Sequence, residues 1–160
     1  MKKILLSLLF ISGCGFTPLY GIKNYSLHDT HLTVSPIPNK YGESMTRIIK
    51  NALPVTQDEA SKQYKLTVSS PSFSSGDKTI TSDEFASTMQ VSAFSTYQLQ
   101  DLKTQKTILS EKITAVSSYS VVSNPYATTV AENKIQQELA DQIAEQIALD
   151  VLTKLSQENS

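Results

Sequence analysis

Cys14 is the only cysteine among the 160 residues of the chain, and its surroundings decide what its thiol can do. Two lysines, Lys2 and Lys3, are followed by about ten mostly apolar residues ending at Gly13. That length suits the core of a secretory leader and falls short of the roughly 20 residues a membrane-crossing helix needs. The leader closes on Ile11-Ser12-Gly13-Cys14. Small residues at 12 and 13 let the chain lie extended in a peptidase cleft, and the thiol supplies the nucleophile for thioether attachment of a diacylglycerol. This is the pattern of a bacterial lipobox. Residues 1–13 are therefore expected to be a signal peptide, with Cys14 the acylated first residue of the mature chain. A single cysteine excludes an intramolecular disulfide. Burial of acyl chains at about 0.8 kcal/mol per CH2 makes a multiply acylated anchor stable. Gly15 stands where an aspartate would signal retention at the inner membrane in lipoproteins as a group, so the outer membrane is expected.

Other reactive residues form no constellation. His28 and His31 are the only histidines. They are three apart around Asp29 and lack the third ligand a zinc site would need. Serines are many, but no Gly-x-Ser-x-Gly elbow and no glycine-rich phosphate loop occurs. Asp83-Glu84 is read as capping the start of a long strand. The chain is therefore read as a non-enzyme, with no metal and no cofactor.

Binding chemistry is better represented. Lys78 sits near the tip of one predicted hairpin, and Lys103 and Lys106 near the tip of the next, where cations can meet anionic head groups or phosphates. Consecutive hairpin tips lie at opposite ends of a sheet, so the three need not form one patch. Phe94 falls on a strand face otherwise made of Ser, Thr and Gln, which marks a candidate docking surface.

The elements that must position these groups follow from hydrophobic periodicity. Residues 15–30 carry Pro18 and two glycines with little periodicity, so residues 14–30 are expected to be a lipidated tether. His31–Ile37 alternates as a short strand limited by Pro36 and Pro38. Tyr41–Leu53 places Met45, Ile48, Ile49, Ala52 and Leu53 on one helical stripe, and Pro54 stops the helix. Tyr64–Val68 alternates again, after which Pro71, Ser74, Ser75 and Gly76 are expected to break regularity. Phe85–Leu99 is the longest alternating run. Residues 101–106 read as a turn, and Thr107–Val121 as the partner strand. A final helix over Tyr126–Leu155 carries a stripe of Val130, Ile135, Leu139, Ile143, Ile147, Val151 and Leu155, with Asn124 as cap before Pro125. Residues 157–160 are expected to fray. One-sided alternation implies one covered sheet face. The predicted fold over 31–156 is a single α+β domain in a two-layer sandwich. A mainly antiparallel four-stranded sheet has two helices on one face, in the order β-α-β-β-β-α.

Composition agrees with that size of core. Without the leader about 147 residues remain, enough for one domain. Lys2 and Lys3 leave with the leader, so 14 basic residues become 12 against 15 acidic ones. A net charge near −3 excludes a strongly basic nucleic-acid-binding domain.

Cys14-Gly15-Phe16-Thr17-Pro18-Leu19-Tyr20-Gly21 closely resembles the opening, after the lipid cysteine, of the LPS-assembly lipoprotein family LptE in its alphaproteobacterial form. Val34-Ser35-Pro36-Ile37, Tyr41-Gly42 with Arg47 leading to Leu53, and Tyr64-Lys65-Leu66-Thr67-Val68 fit further segments. So do Tyr97-Gln98-Leu99-Gln100-Asp101 and Ser118-Tyr119-Ser120 running to Tyr126-Ala127 and Ala131-Glu132. The family places an arginine shortly after an Ala-Thr pair near the start of the long strand. Here Ala86-Ser87-Thr88 is followed by Met89, so no basic contact residue is carried over. The resemblance implies a non-catalytic lipoprotein that plugs and helps assemble an LptD-like outer-membrane β-barrel of the lipopolysaccharide translocon and assists lipopolysaccharide insertion. The competing expectation is an accessory periplasmic lipoprotein of a lipid-transport ABC system, against which the opening octapeptide argues.

Overall fold

The structure is a computed structural model, and it describes residues 31–56, 63–79 and 87–158. The leader, Cys14, the tether with His28, the Asp83-Glu84 pair and Phe85 lie outside the described residues.

The first strand, β1 (Leu32–Val34), buries Leu32 and Val34. The helix α1 (Gly42–Ala52) follows and buries Met45 and Ile49 on the expected stripe. Its start is fixed by Asn39, at φ 80°, whose side-chain oxygen accepts the Tyr41 N–H at 2.8 Å. Gly42 explains one half of the Tyr41-Gly42 pair. A Cβ there would lie 1.9 Å from the Ile37 carbonyl oxygen, so only glycine lets the β1–α1 connection close. Tyr41 explains the other half, its ring lying 4.9 Å from that of Phe73 and its hydroxyl donating to Gln136. α1 ends where Leu53 turns extended before Pro54.

β2 (Tyr64–Val68) runs parallel to β1, giving a β-α-β unit. β3 (Ser72–Thr79), β4 (Ser87–Asp101) and β5 (Thr107–Val121) complete a five-stranded sheet. β4 is its axis. On one side it pairs with β5 along nearly its whole length, and on the other with β2 over 97–101 and β3 over 88–94. β2 and β3 thus lie end to end along one side of β4, with β1 outside β2. The break at Ser69–Pro71 is held by side chains. The Ser95 hydroxyl donates to the Ser69 carbonyl at 2.8 Å, Ser69 Oγ accepts the Thr96 N–H at 2.9 Å, and Ser70 Oγ donates to the Pro38 carbonyl at 3.0 Å.

The two-layer α+β reading holds, and the strand count rises from four to five. The expected loss of regularity is real at 69–71 but ends at Ser72. Ser72–Thr79 has poor intrinsic strand character. The unpaired half of β4 supplies a ladder that overrides it.

The last helix, α2 (Pro125–Glu158), spans 34 residues, about 51 Å at 1.5 Å per residue. Asn124 caps it, its side-chain oxygen accepting the N–H groups of Tyr126 and Ala127 at 3.0 and 3.4 Å. Leu139, Ile143, Ile147, Val151 and Leu155 are fully buried, with Ala140, Ala144 and Ala148 beside them. Val130 departs from the expected stripe and is exposed. Rows at i, i+4 wind slowly around a helix, so the buried row read backward passes through Ile135 and Ala131 and leaves Val130 outside. α2 packs on β4 and β5, and α1 packs on α2. Ser44 donates to Asp141 and Lys40 to Asn133 across the helix pair.

Candidate functional site

α2 packs on the face of β4 that carries Val91, Ala93, Ser95, Tyr97 and Leu99, all buried. The opposite face is left bare, and the register fixes its rows. Gln90 stands beside Gly76 and Ser118, Ser92 beside Ser74 and Val116, Phe94 beside Ser72 and Thr114, Thr96 beside Lys112, and Gln98 beside Thr67 and Ser110. The face is a lawn of hydroxyls and amides with one apolar island and few charges.

The island is Phe94 with its diagonal neighbours. Phe94 is 39 % exposed, Val116 is 52 % exposed, and the Lys112 ammonium lies 3.9 Å from the Phe94 ring centroid. At that distance the ring quadrupole attracts the cation. Lys112 was not among the cations singled out from the sequence. The signal was present, because folding 87–121 about the predicted turn sets Lys112 diagonally across from Phe94.

The three lysines singled out from the sequence are dispersed. Lys103 and Lys106 are exposed at the β4–β5 turn. That turn is tied by Asp101, whose carboxylate accepts the Lys103 and Thr104 N–H groups at 2.7 and 3.1 Å. These bonds, the Thr104 one foremost, hold the Asp101 carboxyl below the usual aspartate range. Lys78 lies near the far end of β3, where the register shifts between Asp77 and Thr79 opposite Met89 and Thr88. Some twelve residues of β4 separate the two ends, about 40 Å at 3.3 Å per residue. The lysines therefore do not form one patch. Met89, in the place of the family's arginine, belongs to the helix side of β4.

Among the described residues no group of three or more His, Cys, Asp or Glu could hold a metal ion, and no helix is long and apolar enough to cross a membrane. His31 is half-buried at the start of β1, and its backbone carbonyl accepts the Gln63 and Tyr64 N–H groups. The chemistry on offer is hydrogen bonding and aromatic contact across a broad face.

No family model matches the chain, and no curated protein matches it. Solved structures do. A minor lipoprotein from Acinetobacter baumannii superposes with a TM-score of 0.53 at 18 % identity, over 78 % of this chain and 93 % of that one. Rare lipoprotein B from Shewanella oneidensis gives 0.52 at 14 % identity, over 81 % and 96 %. Lipoprotein B from Nitrosomonas europaea gives 0.55 at 10 % identity, over 81 % and 87 %. The chain shares the fold of these lipoproteins.

Proposed function

We propose that this protein is a lipid-anchored lipoprotein of the outer membrane, which seats within an LptD-like barrel of the lipopolysaccharide translocon, helps that barrel assemble and assists lipopolysaccharide insertion. Its mode of action is binding, with no bond made or broken. The observation that carries the reading is the bare face of the sheet. Barrel interiors are polar, and a rigid face of Ser, Thr and Gln side chains offers many modest hydrogen bonds to such a wall. Phe94 and Lys112 supply one anchoring contact.

Two further lines support it. The fold is that of lipoproteins, rare lipoprotein B among them. The octapeptide from Cys14 to Gly21 carries the finer placement in the alphaproteobacterial form of LptE, and Cys14 supplies the anchor. Exposed Lys103 and Lys106 at one end of the sheet, and Lys78 at the other, are the proposed contacts for lipopolysaccharide phosphates.

Affinity purification from outer membranes tests the reading, and a large β-barrel protein is expected to co-purify with the processed, acylated chain. Recovery of an inner-membrane ATPase complex instead would overturn it. In the same preparation Cys14→Ala is expected to leave the leader uncleaved. A processed, membrane-retained Cys14→Ala chain would remove the lipid anchor from the proposal.

A further inference from the structure

The two margins of the sheet are finished differently. On the β1 side the edge strand is three residues long, is followed by Pro36 and Pro38, and is partly covered by Val55 and Thr56, the Thr56 N–H donating to the Leu32 carbonyl at 3.0 Å. β3, on the same side of β4, carries Gly76 and a register shift and is preceded by the break at Ser69–Pro71. Short length, proline, irregularity and coverage are the devices by which native sheets prevent strand addition. β5 has almost none of them. It is 15 residues long and runs in unbroken register with β4 from Leu109 to Val121, with no strand on its other side among the described residues. Its only charges are Glu111 and Lys112. The nine residues Ile113–Val121 contain no charge, no proline and no glycine.

Side chains along that stretch suit an incoming strand. Thr114, Val116, Ser118 and Ser120 on the bare face are short and exposed, so another backbone can approach. On the helix side Ile113, Tyr119 and Val121 are only half-buried, leaving an apolar flank still in contact with water. In an antiparallel ladder alternate residues direct their N–H and C=O groups away from the neighbour they are paired with, which gives this edge a row of main-chain donors and acceptors.

We propose that the Ile113–Val121 edge of β5 receives a single extended strand from a partner protein, by β-augmentation. This surface is a backbone edge and is distinct from the bare face. The partner strand would be uncharged over about nine residues. It would place apolar side chains on the helix side, over Ile113, Tyr119 and Val121, and small or hydroxylated ones on the other. Where it reaches Lys112 and Glu111 it would carry an acidic and a basic residue to match. A second copy of the chain fits less well. α2 packs across both β4 and β5. Joining two β5 edges sets the strands about 4.8 Å apart and puts two α2 helices side by side on one face of the joined sheet, where they must also pack on each other. A lone strand brings no helix.

The test is amide hydrogen exchange on the mature full-length protein in detergent, with its mass followed by sedimentation. The probe is a synthetic peptide of residues 113–121, which has the required uncharged alternation. In the free, monomeric protein, alternate amides of 113–121 are expected to exchange at least tenfold faster than the amides between them. The peptide is expected to slow the fast set about tenfold and leave the slow set unchanged, while the same peptide N-methylated on both edges does nothing. A fast set that the peptide leaves unchanged overturns the proposal, as does equal protection by the methylated peptide. Alternate amides already slow in the free protein also overturn it, a dimeric mass then assigning the edge to a second copy and a monomeric mass to residues of the chain itself.

Discussion

Along β4 two chemistries alternate. Val91, Ala93, Ser95, Tyr97 and Leu99 lie under α2, whereas Phe94, Thr96 and Gln98 face solvent and Gln90, Ser92 and Gln100 are partly so. The same backbone serves both sets, so the difference lies wholly in what each side chain meets. On the covered side even a serine is committed, since Ser95 is fully buried and its hydroxyl is spent on the Ser69 carbonyl. On the bare side Ser92 answers to nothing internal among the described contacts. One face of this strand therefore fixes the fold, and the other is left unconstrained by it.

The largest effect that sharpens this contrast comes from deleting apolar volume on the covered side. Leu99→Ala and Ile143→Ala each remove a fully buried side chain and are expected to cost about 2–5 kcal/mol, the range for cavity-forming changes in cores. Gln98→Ala, one residue away on the exposed face, is expected to stay within about 0.5 kcal/mol. Urea unfolding of the three variants checks both, and a Gln98→Ala loss as large as that of Leu99→Ala would erase the distinction between the faces.

A smaller effect concerns the one titratable group buried on the covered side of β4. The Tyr97 ring is buried, and its hydroxyl donates to Asp150 at 3.0 Å. Burial first, and that hydrogen bond second, hold the phenol protonated well above its usual value of 10. A folded-state value raised in this way gives a stabilisation that is complete below pH 10 and is lost as pH rises through the folded value. Tyr97→Phe is expected to cost about 1 kcal/mol at neutral pH and to flatten the fall in melting temperature above pH 10. Tyr64 and Tyr119, also raised by burial, retain part of the slope. An unchanged alkaline slope in Tyr97→Phe would show that the hydroxyl is not held as the structure places it.

Much of this was legible in the sequence because period and burial coincide. β5 begins and ends where alternation predicts, α1 matches to within a residue at each end, and Asn124 caps α2 as its position before Pro125 implies. β3 was not legible. Ser72–Thr79 is a strand because β4 offers it a ladder, a tertiary cause that no local pattern records. Among the candidate site residues, Phe94 could be found because it breaks an alternation. Lys112 could not be found by that rule, since a lysine on a polar face breaks nothing. It becomes visible only when the register is drawn. The lysines of the turns were conspicuous as charges, yet the length of β4 holds them apart.

The smallest effect on stability belongs to the bare face, and there function and fold should separate. Phe94→Ala and Lys112→Ala remove the two partners of a solvent-exposed cation–aromatic contact, which is worth about 0.5–1 kcal/mol. A double-mutant cycle is expected to return a coupling of that size, with Lys112→Ala alone near neutral. If the bare face is the docking surface, Phe94→Ala should reduce recovery of the barrel protein from outer membranes while its melting temperature stays close to that of the parent chain. Ser92→Ala, in the adjacent row and with less to lose, should recover it almost fully. A Phe94→Ala chain that melts like the parent and still recovers the barrel in full would exclude the aromatic island as an anchor. Any docking by this face would then rest on its hydroxyls and amides, summed over many weak contacts.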